Sequence, residues 1–181
     1  MKTNPLPRFI QNAVEINIIG PCSIDSSTLN CSLPTLVIDG GINHQLALEQ
    51  QFSLGDGDSS SDKLDLTLPT KKDMSDLSYA LDQLLDKKRT LYSYGMIGER
   101  KDHEYINIGE AYNFSKRTDS IVKFDKNFLI LPKGQNILNI YGEFSVITID
   151  KALITIEGKA RYTLDKETEL FPLSSLGLSN I

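Results

Sequence analysis

Between Leu54 and Asp76 the chain reads LGDGDSSSDKLDLTLPTKKDMSD. Asp56 and Asp58 alternate with Gly55 and Gly57, and Lys72, Asp73, Ser75 and Asp76 close the stretch. Asp39 stands upstream in Val37-Ile38-Asp39-Gly40-Gly41. Carboxylates on glycine-containing turns after apolar runs form the oxygen-only ligand set of a hard divalent cation such as Mg²⁺. That ion keeps several waters and is commonly shared with phosphate oxygens. A calcium loop is excluded: Asp56, Asp58 and Ser60 have its first spacings, but Ser61 stands where glycine is needed and Thr67 where glutamate is needed. Taken singly, each acid also fits a solvated turn. Asp73 or Ser75 suits the cap of a following helix, and Asp76 its first turn.

Other chemistries find no residues. Nothing fits a phosphate-binding GxxxxGK[ST] loop or a GxSxG nucleophile elbow. His44 and His103 are the only histidines, and neither has metal ligands spaced to join it. Cys22 and Cys31 form no CxxC pair, and their thiols are expected to be reduced. What remains is a carboxylate-rich face suited to Mg²⁺-assisted phosphoryl transfer, in which the metal bridges phosphate oxygens and neutralises developing charge. Lys72 and Arg100 supply candidate positive partners for phosphate; Lys101 reads as solvated surface.

These residues need strands and turns to hold them. Residues 13–19 and 35–38 read as buried strands, the second running into Asp39. Residues 22–34 read as loop and 43–51 as a short helix or turn. Phe52-Ser53-Leu54 is a weak strand delivering Gly55-Asp56. Leu64, Leu66 and Leu68 alternate with polar neighbours up to Pro69, the pattern of a half-buried strand. Leu77, Ala80, Leu81, Leu84 and Leu85 recur at helical spacing and predict a helix over 74–88, closed by Lys87, Lys88 and Arg89. A strand at 90–94 leads to a glycine-rich turn. A helix over 103–115 follows, capped by Asp102, with Tyr105, Ile108, Ala111 and Tyr112 on one side.

After residue 119 the pattern changes to short β-rich runs, SIVKF, FLILP, NILNIY, FSVITI, ALITIE and ARYTL, separated by turn residues. The fold class expected is therefore an α/β domain over 1–118, mostly parallel sheet with helices, followed by a small antiparallel β-sandwich over 119–181. Ligands of such α/β sheets bind at the carboxyl ends of the strands.

The chain has 181 residues, a 40% apolar fraction and a net charge of −5. That charge argues against nucleic acid or an anionic membrane as partner. The N-terminus lacks a signal-peptide core, and no apolar run approaches the ~20 residues of a membrane span, so a cytoplasmic location is expected.

In order, the motifs resemble those of the thiamine pyrophosphokinase family. They are Asp39-Gly40-Gly41, Gly55-Asp56-Gly57-Asp58-Ser59, Lys72-Asp73-Met74-Ser75-Asp76, Gly95 through Arg100-Lys-Asp102-His103, Gly158 through Tyr162, and Ser179-Asn180. Two positions depart from the family pattern: Gly57 stands for Phe and Ser75 for Thr. The resemblance implies transfer of diphosphate from ATP to the hydroxyl of thiamine, giving thiamine diphosphate and AMP. It implies that Asp39, Asp56, Asp58, Ser75 and Asp76 hold Mg²⁺ and its bridged phosphates, the four aspartates as metal ligands and Asp56, Asp58 and Asp76 as catalytic residues. It implies that Lys72, Asp73, Arg100 and Asp102 shape the nucleotide and phosphate region, and that Tyr162 and Ser179 lie at the thiamine end. Family members are homodimers whose active site combines the α/β part of one subunit with the β part of the other, and the resemblance implies the same here. The alternatives are the same chemistry on a different small alcohol and a non-catalytic nucleotide-binding relative.

Overall fold

The structure, a computed structural model, describes residues 4–60, 62–125, 127–159 and 164–178. Two compact units divide it, residues 1–136 and 137–181.

The first unit is built on a seven-stranded sheet. Its strands are β1 (Glu15–Ile19), β2 (Thr35–Ile38), β3 (Gln51–Gly55), β4 (Leu66–Thr67), β5 (Thr90–Tyr94), β6 (Ile121–Phe124) and β7 (Phe128–Ile130). They lie in the order β4-β3-β2-β1-β5-β6-β7, and only β7 is antiparallel to its neighbour. The chain winds outward from β1 to β4 and then crosses back to set β5 on the other side of β1, so strand order reverses between β1 and β5. At that reversal Gly20 N donates to the Tyr94 carbonyl and Cys22 N to the Gly95 carbonyl. A Cβ on Gly20 would lie 2.6 Å from the Gly95 oxygen, so the two turns meet backbone to backbone.

Period-2 alternation sorts the strand side chains onto two differently covered faces. Ile16 and Ile18 of β1, Leu36 and Ile38 of β2, Leu54, Leu91 and Val122 pack under the helices α1 (Arg8–Asn12), α2 (Asp76–Asp82) and α3 (Lys101–Thr118). The opposite face carries Ile19, Val37 and Tyr94. Among the described residues it packs against Ile24, Leu29, Ile42, Leu46 and Leu48, which come from loops and a 3₁₀ turn. Asn17 is fully buried on the same strand side as Ile19. Its amide donates to the Asn30 carbonyl and to Thr35 Oγ1, tying the 22–34 loop to the sheet.

Several elements differ from expectation for identifiable reasons. Strand β4 is two residues long because the Asp65 carboxylate, accepting from Ser53 N and Ser53 Oγ, takes the place of a ladder partner. Helix α2 ends at Asp82, and turns continue to Asp86. There the buried Arg89 guanidinium gathers the Leu84 and Lys87 carbonyls together with that of Gln11 in α1. Residues 39–44 form a 3₁₀ turn and 46–50 are irregular, where a short helix or turn was expected over 43–51. Helix α3 runs longer than expected and closes on Asp119 in the left-handed region. Its cap position is Arg100, with no side-chain bond; Asp102 lies in the first turn. Tyr105 is exposed, and Phe114 takes the buried place instead.

The division between units falls after Asn136 and not at residue 118. Strand β6 returns from α3 parallel to β5, and β7 folds back antiparallel on β6, so both belong to the first sheet. In sequence, β6 and β7 look like a hairpin of the later β-rich segment, and only the long-range pairing with β5 distinguishes them.

The second unit holds an antiparallel pair, β8 (Ala152–Ile156) and β9 (Leu164–Leu170), in the register Ala152↔Leu170 to Ile156↔Leu164. Residues 144–149, expected as a strand, keep alternating exposure, but their backbone bonds are sporadic, as from Val146 N to the Gly177 carbonyl. Ile137 and Tyr141, also expected in a strand, are 87% and 96% exposed. Among the described residues no helix is long and apolar enough to cross a membrane.

Candidate metal and phosphate site

The acids converge where the sheet predicts. Strand β2 ends in Asp39, which adopts φ 44 and opens the 3₁₀ turn Asp39–His44. Strand β3 ends in Gly55, followed by Asp56. A Cβ on Gly55 would lie 2.7 Å from the Asp39 Cβ, so glycine at this strand end lets the two turns close on each other. Gly57, at φ 80, reverses the chain, and its amide donates to Asp39 Oδ1 at 3.1 Å. Asp58 N reaches Asp56 Oδ1 at 3.3 Å, and Ser59 Oγ donates to Asp58 Oδ1 at 2.8 Å. The turn is held to the first one by Asn43, whose amide donates to the Ser59 carbonyl.

The result is a triad of carboxylates. One oxygen each from Asp39, Asp56 and Asp58 lies within 4.8 Å of the others. An all-oxygen set partly open to solvent fits Mg²⁺, which binds a few carboxylates and keeps the rest of its shell as water or phosphate. Asp39 carries the electrostatic consequence. Burial raises its pKa, the charges of Asp58 and Asp76 raise it further, and the bonds from Gly57 and Ser59 offset only part of this.

Lys72 is the cation of the cluster. Its ammonium lies 2.9 Å from Asp56 Oδ2 and 3.0 Å from Asp76 Oδ1. Burial opposes the charge on Lys72, but the two carboxylates outweigh it and raise the pKa. In return the Lys72 hydrogen bond holds Asp56 below the ordinary carboxylate range. Asp76 owes its place to α2, of which it is the first residue, so three chain segments supply the site.

The remaining expected residues fall differently. Ser75 caps α2 by accepting from Ser78 N at 3.0 Å, and its hydroxyl donates to Glu110 of α3. Asp73 is exposed. Arg100 and Asp102 form an exposed ion pair at 2.6 Å, which brings Asp102 down to about 2. Among the described residues no hydrogen bond or ion pair joins that pair to the carboxylate triad. Tyr162 and Ser179 lie outside the described residues. His44 is structural: its Nε2 pairs with the Gly20 carbonyl at 3.0 Å.

Three residues around the strand ends carried no sequence signal. Glu110 receives the Ser75 hydroxyl. Asn107 donates from its amide to the Met96 carbonyl at 2.7 Å, and Asp125, at the end of β6, accepts from Gly95 N at 3.1 Å. The last two fix the Gly95–Gly98 turn. Each contact spans a break between elements, so no local period exposes it.

Comparison with known proteins agrees at the level of fold. No protein-family model and no curated protein sequence matches the chain. Among solved structures, thiamine pyrophosphokinase from Bacillus subtilis is similar at 22% identity and TM-score 0.62, over 92% of this chain and 88% of that one. The Geobacillus thermodenitrificans enzyme gives 20% and 0.64, over 92% and 87%. The Candida albicans enzyme gives 13% and 0.58, over 94% and 82%. The chain therefore has the thiamine pyrophosphokinase fold.

Proposed function

We propose that this protein transfers diphosphate from ATP to the hydroxyl of thiamine, yielding thiamine diphosphate and AMP. The observation that carries the reading is the convergence of Asp39, Asp56 and Asp58 at the carboxyl ends of β2 and β3, with Lys72 and Asp76 brought in by the start of α2. It falls on the fold of the thiamine pyrophosphokinases.

Asp39, Asp56 and Asp58 would hold Mg²⁺ with Asp76 beside them, and the ion would supply charge neutralisation to the phosphates. The chain's own residues do the rest. Lys72 presents a protonated ammonium to the same face, held upright by Asp56 and Asp76, as a donor for a phosphate oxygen. The Gly57 amide fixes the Asp39 carboxylate so that no reorientation is needed when substrate arrives. Arg100 and Asp102 open α3 and would border the nucleotide region, with Asp73 at its solvent side. Tyr162 and Ser179 would contact the acceptor. The working form is a homodimer. The exposed Ile137, Tyr141, Leu153 and Leu173 of the second unit favour this, since apolar surface gathered in so small a unit is normally covered.

A second reading keeps the metal and nucleotide face and changes the acceptor to another small alcohol. It is favoured by Gly57, which leaves the acidic turn without the aromatic side chain seen in the family motif.

The test is to incubate the protein with ATP, Mg²⁺ and thiamine and to separate the products by chromatography, with Asp56→Asn as control. Thiamine diphosphate and AMP from the wild type alone support the proposal. AMP release only with a different alcohol favours the second reading. ATP binding without turnover on any acceptor rejects both and leaves a non-catalytic binding protein.

A further inference from the structure

The geometry points to Glu110 of α3 as a positioning residue for the acidic site, acting through Ser75 on the start of α2; this inference rests on the function proposed above. Ser75 Oγ lies 2.9 Å from Glu110 Oε1 and 2.7 Å from Oε2. A serine hydroxyl has one hydrogen to give. Ser75 Oγ accepts from Ser78 N and its hydrogen goes to the Glu110 carboxylate, shared between the two oxygens, so the orientation of the hydroxyl is fixed. Ser75 thereby ties the first turn of α2 to α3.

The residues on either side of Ser75 make this matter. Asp76 follows it directly and pairs with Lys72, which lies one helical turn earlier in sequence and also holds Asp56. Glu110 is thus linked to the carboxylate triad by its contact with Ser75, by the peptide bond from Ser75 to Asp76, and by the Asp76–Lys72–Asp56 contacts. Glu110 is half-buried, and it borders a groove of about 200 Å³ lined by Ser78, Leu81, Asp82 and Asn113. No cation pairs with it among the described residues; the nearby Arg117 is paired with Asp82. A desolvated carboxylate whose only described partner is a hydroxyl is costly to stability alone. Fixing an outer contact of a metal site is a use that offsets such a cost, and losing such contacts typically weakens metal affinity about 10–100-fold.

The experiment measures Mn²⁺ binding by paramagnetic relaxation and, in metal-free protein, amide hydrogen exchange at Ser78. It uses the wild type, Glu110→Ala, Glu110→Gln, Ser75→Ala and the Ser75→Ala/Glu110→Ala double variant, with thermal midpoints as a check on folding. Glutamine keeps an acceptor for the Ser75 hydroxyl. The expected result is a Mn²⁺ Kd raised about 10-fold in Glu110→Ala and restored to within about 3-fold by Glu110→Gln. The double variant should be no weaker than Ser75→Ala. An unchanged Kd in Glu110→Ala, or losses that multiply in the double variant, would overturn the inference. If the wild type binds no Mn²⁺, the proposed function fails on its own, and Ser78 decides the inference. Faster exchange in Glu110→Ala, restored by glutamine, upholds Glu110 as the anchor of α2; unchanged exchange rejects it.

Discussion

Replacing Asp58 with Asn should move stability and cation binding in opposite directions. Asp58 is exposed, and its described contacts within the turn, with Ser59 Oγ and Asp56, survive the change because asparagine keeps an acceptor oxygen and the backbone amide. What disappears is one negative charge with an oxygen within 4.8 Å of oxygens of Asp39 and Asp56. In water, two unit charges at that distance repel by about 0.9 kcal/mol, and screening at 0.15 M salt roughly halves it. Two such pairs sum to about 1 kcal/mol, so in EDTA the variant should melt ~2–4 °C higher than the wild type. In about 1 M KCl, where the screening length falls to about 3 Å, the gain should nearly vanish. Mg²⁺ should reverse the ranking. At 100 times its Kd a bound ion stabilises the wild type by about 2.7 kcal/mol, and Asp58→Asn should forfeit most of that. Thermal unfolding followed by circular dichroism, with and without Mg²⁺, reads both effects. A variant that melts lower than the wild type in EDTA would refute the like-charge reasoning. An equal Mg²⁺ shift in both proteins would refute Asp58 as a ligand.

Two further outcomes are expected. Asp39→Asn keeps an acceptor for Gly57 N and tolerates the left-handed φ. Because the folded pKa of Asp39 is raised, its favourable contribution is present at low pH and lost as pH rises through the folded value. In EDTA the Asn variant should therefore match the wild type at the lowest pH and gain on it as pH rises, whereas wild-type Mg²⁺ affinity should climb over the same window; a pH series of melting points and titrations checks both. Arg89→Ala should cost at least about 3 kcal/mol, since it leaves the carbonyls of Leu84, Lys87 and Gln11 without a buried donor, while Mn²⁺ affinity at the acidic site stays within about twofold; urea unfolding and Mn²⁺ titration read the two effects separately.

The sequence exposed most of what depends on neighbours in the chain. The apolar runs at 15–19 and 35–38, the Gly-Asp turns behind them and the heptad-like leucines of α2 all announce themselves locally, and they fix where Asp39, Asp56 and Asp76 fall. What stayed hidden depends on distant pairing. SIVKF belongs to the first sheet only because β5 waits beside it. Leu64–Pro69 reads as a full strand because nothing local shows that the Asp65 side chain will bond back to Ser53. Ser75 reads as a site hydroxyl, and nothing local shows that α3 will bring Glu110 against it. Residues 22–34 read as loop, but nothing local shows that this loop and the 3₁₀ turn after Asp39 would pack on Ile19, Val37 and Tyr94.

The reversal of strand order beside β1 has a consequence for the chain as it leaves the ribosome. Strand β1 is central, yet its neighbour β5 begins only at Thr90. At about 5–20 residues per second, roughly 4–15 s separate the synthesis of the two strands. Through that interval the EINII segment carries one open edge of unpaired amides and carbonyls, with Glu15 as its single charge, and open apolar edges of this kind recruit other strands. Strands β2 to β4 can assemble on the far side meanwhile, but they do nothing to cover it. The interval between β1 and β5 is thus the period in which this protein is most exposed to aggregation, and chaperone capture during synthesis should concentrate on nascent chains that end between these two strands.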